Sequence, residues 1–233
     1  MQSFLSYLNE FLLFRNFIEV ISGLDNTLLL LIISLPIGFV LSLIFALGRV
    51  SKNKFISKPI AFYIFVIRGT PLLVQIYLIY FGLGSIEFIR ESFLWYLLRE
   101  PFWCGVLALT INTVAYGSEI FRGGIQSVTK GQIESGLSLG FNKIDLLRKI
   151  IFPIALRKVL PSYGNELILM VKATSLISIV TLMEITGIAR TIISKTYAPV
   201  EIFIVAGSIY LFINFVITRF IKYAEHKVNH GSI

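Results

Sequence analysis

Five stretches of this chain are each long and apolar enough to cross a lipid bilayer, and that feature removes most other architectures. A hydrocarbon core about 30 Å thick is crossed by roughly 20 mostly apolar residues in a helix. Residues 24–47, 60–83, 102–121, 167–186 and 200–221 meet that length. Lipid offers no partner to backbone N–H and C=O groups, so each run is expected to be a helix that satisfies its own backbone. The fold class expected is therefore all-α, a polytopic membrane protein with five transmembrane helices spanning residues 24–221. Composition agrees, with 56% of the 233 residues hydrophobic, 15% charged and a mean hydropathy of +0.82, against about 25% charged in an average soluble domain. Ahead of the first run, residues 1–23 carry Phe4, Leu8, Phe11 and Ile18 at near-helical spacing, the pattern of an external helix lying on the membrane surface. No small-residue cleavage site follows a short apolar core, so the first run is expected to be a retained span.

The net charge of +8 has a use in topology. A nucleic-acid-binding surface needs its basic residues together on a solvated face, and here long apolar runs separate them, so no nucleic-acid partner is expected. Cytoplasmic loops collect Lys and Arg. Arg49, Lys52, Lys54 and Lys58 crowd one connection with no acid among them, and Arg122, Lys130, Lys143, Arg148, Lys149, Arg157 and Lys158 crowd another, residues 122–160. On the opposite side Arg15, Arg90, Arg99, Arg190 and Lys195 are diluted by Glu10, Glu19, Glu87, Glu91 and Glu100. With five spans the amino terminus is outside, and the tail, residues 222–233, is cytoplasmic. Cys104 is the only cysteine, so no disulfide within the chain and no cysteine metal site is expected; it reads as a packing residue.

Polar residues recur on the spans at helical spacing. Ser34, Gly38, Ser42 and Ala46 form a small-residue stripe along which another helix can approach closely. Asn112, Tyr116 and Glu119 stand at i, i+4 and i+7, and Thr174, Ser178 and Thr181 repeat that spacing with Glu184 beside them. Lys172 sits within LILMVKATSLISIV, where a lysine at mid-bilayer costs at least about 2.5 kcal/mol unless it pairs or reaches water. Asn112, Glu119, Lys172, Thr174, Ser178 and Glu184 are therefore candidates for a solute path. The competing structural account is bonding between neighbouring helices, with Lys172 paired to Glu119 or Glu166 and Glu184 bonded to a helix end or to Arg190.

One segment interrupts this apolar pattern. Residues 131–161 read GQIESGLSLGFNKIDLLRKIIFPIALRKVLP, with the local grammar of two short helices meeting at a corner. Thr129 and Gln132 fit a capping box, Gly140 suits a left-handed helix stop, Asn142 and Asp145 can open a second helix, and Pro153 is expected to limit it. Ile133, Leu137, Ile144, Leu147 and Ile151 keep an apolar side while Lys143, Arg148 and Lys149 remain solvated.

Glu134, Ser135 and Gly136, then Gly140, then Ile150 and Pro153 reproduce the spacing of the EAA loop, which marks the membrane subunits of ATP-binding-cassette (ABC) importers. Ser135 and Gly136 replace the usual alanines and Phe152 a leucine. The resemblance extends along the chain. RGTPLLVQ at 68–75, NTVAYGSEIFRGGIQSV at 112–128 and LPSYGNELILMVKATSL at 160–176 are similar to the polar amino-acid branch of these permeases. GRVSKNK at 48–54, and TLMEITG with KTYAP within 181–199, resemble the subunits that carry histidine, lysine and arginine, or arginine alone. What the resemblance implies is a type I importer fold in the cell inner (cytoplasmic) membrane, in which residues 122–160 form a cytoplasmic coupling loop. Glu134, Ser135, Gly136, Gly140, Ile150 and Pro153 would serve docking on an ABC ATPase dimer. It also implies a second permease subunit, usually a different chain, an external solute-binding protein, an amino-acid substrate with a basic side chain, and alternating access.

Two other classes compete. A stand-alone secondary transporter or channel also needs intramembrane polar groups, but such folds often carry internal repeats with paired broken helices, and none is legible here. An enzyme needs a catalytic constellation, and the only two histidines, His226 and His230, lie in the tail. No metal or other cofactor is expected. Nor does the chain carry a phosphate-binding loop of its own: the nearest string, GIQSVTK at 124–130, places Thr129 where the second glycine belongs and Gly131 where Ser or Thr should follow. Energy from ATP would have to enter from another subunit.

Overall fold

The computed structural model describes residues 15–230, so Phe4, Leu8 and Phe11 of the expected surface helix lie outside the described residues. Among the described residues there is no strand. The principal helices are α1 (Leu24–Arg49), α2 (Lys54–Gly69), α3 (Leu72–Tyr77), α4 (Pro101–Gln126), α5 (Lys130–Ser138), α6 (Lys143–Leu146), α7 (Phe152–Thr174), α8 (Ile185–Thr196) and α9 (Pro199–His230). Four unbroken spans are long and apolar enough to cross a membrane: Arg15–Arg49, Pro101–Gln126, Lys143–Val180 and Pro199–Val228. The pair Lys54–Gly69 and Leu72–Ser85, bent by 105°, brings the number to five when it is counted as one span.

Three boundaries differ from the sequence reading. Ile18 belongs to a helix that runs from Arg15 into the first span, because only a two-residue turn at 22–23 separates the two parts. The second span is broken at Thr70 and Pro71. Thr70 is extended (φ −116°, ψ 144°), the conformation that a following proline favours. The fourth span begins at Lys143 and ends at Val180, well before Thr186.

Pro153 does not limit the helix begun at Asn142. A π turn at Leu147–Ile151 carries it straight into α7. Proline lacks the N–H that would bond the carbonyl four residues back and its ring crowds that carbonyl; here Phe152 N–H reaches instead to the Leu147 carbonyl, five residues back. The widened turn takes up the mismatch just ahead of the proline.

The chain divides into two compact units. One comprises residues 15–34, Pro71–Leu109 and Leu169–Val216 of the described chain, the other residues 35–70, 110–168 and 217–230. In the second unit the small-residue stripe does what its spacing predicts. A Cβ on Gly38 would stand 2.7 Å from Thr113 Cγ2, and Ser42 Oγ donates to the Thr113 carbonyl at 3.1 Å. Ala46 packs with Phe121, Val159 and Tyr163 in one buried cluster, and Phe39 meets the rings of Phe121 and Tyr163 edge-on at 5.4 Å each. Tyr63 hydroxyl, from α2, donates to the Ile111 carbonyl at 2.6 Å.

In the first unit Leu30, Ile76, Leu109, Met170, Ile177 and Ile202 are buried. Two bonds from α1 tie in the connection before α8: Asn26 Nδ2 donates to the Met183 carbonyl at 2.8 Å, and Ile185 N–H donates to Thr27 Oγ1 at 3.4 Å. Cys104 is buried, its thiol 3.0 Å from the Leu98 carbonyl, as befits a packing residue.

Candidate functional site

The corner between α5 and α6 is assembled by its own residues. At its start Thr129 N–H donates to Gln132 Oε1 at 3.0 Å and Gln132 N–H donates to Thr129 Oγ1 at 3.4 Å, which completes the capping box. At its turn Gly140 has φ +78°. Phe141 N–H reaches the Gly136 carbonyl at 3.1 Å and Gly140 N–H the Leu137 carbonyl at 2.9 Å, the paired bonds of a Schellman stop. Asn142 Oδ1 then accepts from the N–H groups of Ile144 and Asp145, both at 2.9 Å, and opens α6.

The six motif residues divide by what they touch. Gly136 is buried, and a Cβ there would stand 2.5 Å from Ile150 Cδ1 and 2.6 Å from Leu146 Cδ1. Its size lets α5 close on the π turn that carries Ile150. Gly140 makes the turn and Pro153 follows the π segment, so four of the six shape the corner. Glu134 and Ser135 are exposed on α5. Around them Leu137, Leu139 (73% exposed), Ile144 (76%) and Leu147 project apolar surface, bordered by exposed Lys143 and Arg148 and by Lys149, which pairs with Asp145 at 3.0 Å. An apolar patch with a charged border is what a docking surface requires.

Several polar groups on the spans bond within their own units, while the buried Thr110 and Tyr163 hydroxyls have no hydrogen-bond partner among the described residues. In the second unit Arg122 grips Glu119 with bonds of 2.6 to 3.0 Å and donates to Gln126 Oε1 at 2.7 Å, while Arg49 Nε stands 3.9 Å from Glu119 Oε1. Asn112 is buried in the same unit. Arg68, beside the break in the second span, lies 5.0 Å over the Tyr116 ring and within electrostatic reach of Glu119 and Glu166. Glu166 is a buried acid that the sequence reading noted only as a possible partner for Lys172. Its position three residues after Tyr163 on an apolar helix was the available signal.

In the first unit Glu184 is fully buried. It caps α8, accepting from Gly187 N–H at 2.8 Å and from the Tyr210 hydroxyl at 2.5 Å, and Thr186 Oγ1 lies 3.2 Å from that hydroxyl. Thr174 Oγ1 bonds the Val171 carbonyl at 2.7 Å and Ser178 Oγ the Ser175 carbonyl at 2.8 Å. Lys172 is exposed. Tyr210 was absent from the sequence reading: on a span rich in Phe, Ile and Val, this tyrosine carries no mark of its partner 26 residues away.

Comparison with known proteins shows the family. The family described as binding-protein-dependent transport system inner membrane component matches residues 38–230. The nopaline transport system permease protein NocM of Agrobacterium fabrum is 50% identical over 94% of this chain and 91% of its own length. The histidine/lysine/arginine/ornithine transport system permease protein HisM of Escherichia coli is 44% identical over 88% and 87%. The arginine ABC transporter permease protein ArtM of Haemophilus influenzae is 41% identical over 93% and 95%. A solved amino acid ABC transporter, determined with histidines, superposes with a TM-score of 0.79 at 37% identity, covering 96% of this chain and 98% of that one. This chain belongs to the family of binding-protein-dependent transport system inner membrane components.

Proposed function

We propose that the chain is the transmembrane permease subunit of an ATP-driven ABC importer for an amino acid with a basic side chain. The observation that carries this reading is the corner, a locally capped element that exposes Glu134, Ser135 and an apolar patch in a chain with no phosphate-binding loop. The string at 124–130 runs through the end of α4, where a Cβ on Gly124 would stand 2.3 Å from Val159 Cγ2, so that glycine serves helix packing. In this reading a dimer of ATPase subunits receives the corner, a second permease subunit completes the pathway, and an external solute-binding protein delivers the solute. ATP binding and hydrolysis shift the spans between outward-facing and inward-facing states through differential binding to the two conformations. Asn112, Glu119, Lys172, Thr174, Ser178 and Glu184 are the path candidates, with Arg68 and Glu166 added by their place beside the broken second span.

Co-purification on a tag placed on this chain, followed by identification of the bound subunits, tests the assembly. An ATPase partner is expected; a chain that purifies alone and transports alone overturns the reading. Half of the residues are shared with a nopaline permease over most of the chain, which favours an opine as the second reading for substrate. Uptake of labelled arginine in the presence of excess histidine, lysine, nopaline or octopine separates the two. Competition by the basic amino acids is the result expected.

A further inference from the structure

Between the last turns of α1 and α4 and the π turn that leads into α7 lies a cavity of about 170 Å³. Leu43 and Leu47 line it from α1, Phe121 and Ile125 from α4, and Leu147 and Ile151 are the two ends of the π turn. Residues of α7 close it with further apolar side chains, and no polar atom faces it. The helices beside it are not loosely packed: a Cβ on Gly124 of α4 would stand 2.3 Å from Val159 Cγ2 and 3.1 Å from the Ala155 carbonyl oxygen, and both of those α7 residues line the cavity. Folded interiors hold few voids larger than a water molecule. Water is a poor occupant of this one, because it needs two to four polar partners. An apolar guest suits it: a cavity of about 150 Å³ lined by Leu, Ile and Phe takes up benzene.

The surroundings of the cavity select the guest. Its mouth is apolar, with Leu47, Leu147 and Phe152 each about half-exposed. Leu47 also ends a stripe of exposed side chains on α1, after Ile37, Val40 and Ile44, at the three- and four-residue spacing of one helix face. Hydrocarbon is the solvent of such a face on a membrane span, so the mouth is continuous with a lipid-facing surface. Depth agrees. Leu47 and Leu43 lie two and six residues before Arg49, about 3 and 9 Å along a helix that rises 1.5 Å per residue, where acyl chains begin beneath their headgroups. Charge agrees as well. Arg148, Arg157 and Lys158 are exposed, and each is the chain neighbour of a lining residue, within the roughly 10 Å over which a charge acts in salt. Among the described residues no carboxylate pairs with Arg148 or Lys158, and Asp145 is taken by Lys149 at 3.0 Å. Basic side chains at a membrane surface attract anionic lipid through their field, without direct contact.

We infer that this cavity holds one acyl chain of an anionic phospholipid of the inner leaflet, with the headgroup near Arg148, Arg157 and Lys158. The choice of leaflet rests on the cytoplasmic placement of residues 122–160; the acyl-chain site itself does not. The bound chain lies against the π turn, and Ile150 of that turn packs on Gly136 of α5, so the lipid braces the corner from its membrane side.

The test uses the intact complex, purified through this chain and reconstituted in nanodiscs that contain phosphatidylglycerol or phosphatidylcholine with a diazirine near the start of one acyl chain. After irradiation the labelled peptides are mapped by mass spectrometry. Label should concentrate in residues 43–47 and 147–159, at least about fivefold more with the phosphatidylglycerol probe. Ala155→Leu, which fills the cavity, should cut that labelling severalfold and leave labelling around Ile37 and Val40 unchanged. Leu47→Trp, which closes the half-exposed mouth without loading the core, gives the same reading should Ala155→Leu not assemble. Arg148→Gln should narrow the preference for phosphatidylglycerol without lowering labelling by the phosphatidylcholine probe. Even labelling along the α1 stripe, with no excess at the cavity, overturns the proposal, and so does labelling that neither cavity variant reduces. Equal labelling by the two probes overturns the assignment to an anionic lipid. Cross-links from these residues to a second permease subunit, in place of lipid, would give the cavity to that subunit and overturn the proposal too. Label is read with or without ATP turnover, so a complex that hydrolyses no ATP would bring down the importer reading and leave the lipid site standing.

Discussion

At the corner between α5 and α6 every capping bond joins residues five or fewer positions apart, whereas the break between α7 and α8 is held partly by side chains 157 and 158 positions away. The corner is solvated and held by its own residues; the break keeps Ile177, Val180 and Glu184 buried while Thr181 and Met183 stay exposed, and it depends on α1 and α9. An element proposed to seat in another protein would gain affinity by holding its shape before contact, and local caps would provide that. Glu184 has the opposite requirement. A carboxylate with no exposed surface needs its donors supplied by the fold, and Gly187 and Tyr210 supply them.

The largest effect that could break this comparison is all or none. Lys52 and Lys143 fall in the loops expected to be cytoplasmic and Lys195 in the one expected to be external, and all three are exposed. In a Cys104→Ala background, Lys195→Cys should react with an impermeant maleimide applied to whole cells. Lys52→Cys and Lys143→Cys should react only after permeabilisation, and the reverse pattern overturns the orientation. Next in size is a pair of glycine variants. A Cβ on Gly187 meets the Leu182 carbonyl at 2.2 Å, and one on Gly136 meets the tips of Ile150 and Leu146 at 2.5 and 2.6 Å. Backbone cannot give way as a side-chain tip can, so Gly187→Ala should cost at least the upper end of the roughly 1–3 kcal/mol of overpacking, and Gly136→Ala about 1 kcal/mol. Thermal unfolding in detergent checks the order; equal losses would mean that the break is as pliable as the corner.

The same contrast decides what the sequence could reveal. The corner was legible to the residue, because a capping box, a left-handed glycine and an asparagine cap are read within a few positions. The small-residue stripe was legible too, since its period places Gly38, Ser42 and Ala46 on one face. The break was not. The apolar run over residues 167–186 hides it, because hydropathy does not register that Thr181 turns left-handed or that Thr27 and Asn26 arrive from far along the chain to bond Ile185 and Met183. Pro153 misled for a related reason: proline does stop an α-helix, but a π turn placed just before it removes the conflict. Tyr210 carries no local pattern, so only the fold could show what surrounds it.

Tyr210→Phe sharpens the comparison at the buried side. It leaves the Glu184 carboxylate with Gly187 N–H and without its hydroxyl donor. Hydrogen bonds to charged groups contribute about 1.5–3 kcal/mol, and a stability loss in that range is expected by thermal unfolding. Because Glu184 is held by these bonds, Glu184→Gln should lower uptake of arginine, histidine and glutamine alike. A loss confined to the cationic solutes would instead support Glu184 as part of the solute path. At the turn of the corner Gly140→Ala has a smaller effect. The residue needs φ +78° but a Cβ there meets nothing, so the variant should lose only the roughly 1–2 kcal/mol of a left-handed L-residue. A loss above that in the purified transporter would show that Gly140 is packed against a partner subunit.

The smallest effect on stability is expected at the residue proposed to take the most direct part in coupling. Glu134 is exposed in the middle of α5, and its carboxylate forms no ion pair or side-chain hydrogen bond among the described residues; only its backbone carbonyl accepts from Ser138 Oγ, at 3.0 Å. Surface substitutions of this kind usually fall within about 0.5 kcal/mol, and alanine is the better helix former, so Glu134→Ala should unfold at the wild-type temperature and assemble normally into the membrane. If α5 seats in a groove on the ATPase, the carboxylate meets its partner there and nowhere else, and its removal should lower solute-stimulated ATP hydrolysis severalfold. Glu134→Gln, which keeps the length and hydrogen-bonding capacity but not the charge, then separates an ion pair from a neutral bond. Partial recovery in the glutamine variant indicates a hydrogen bond, and none indicates a charged partner. Wild-type ATPase stimulation in both variants would remove Glu134 from the interface, leaving Leu139 and Ile144, the two most exposed apolar side chains of the corner, as the residues to test for docking.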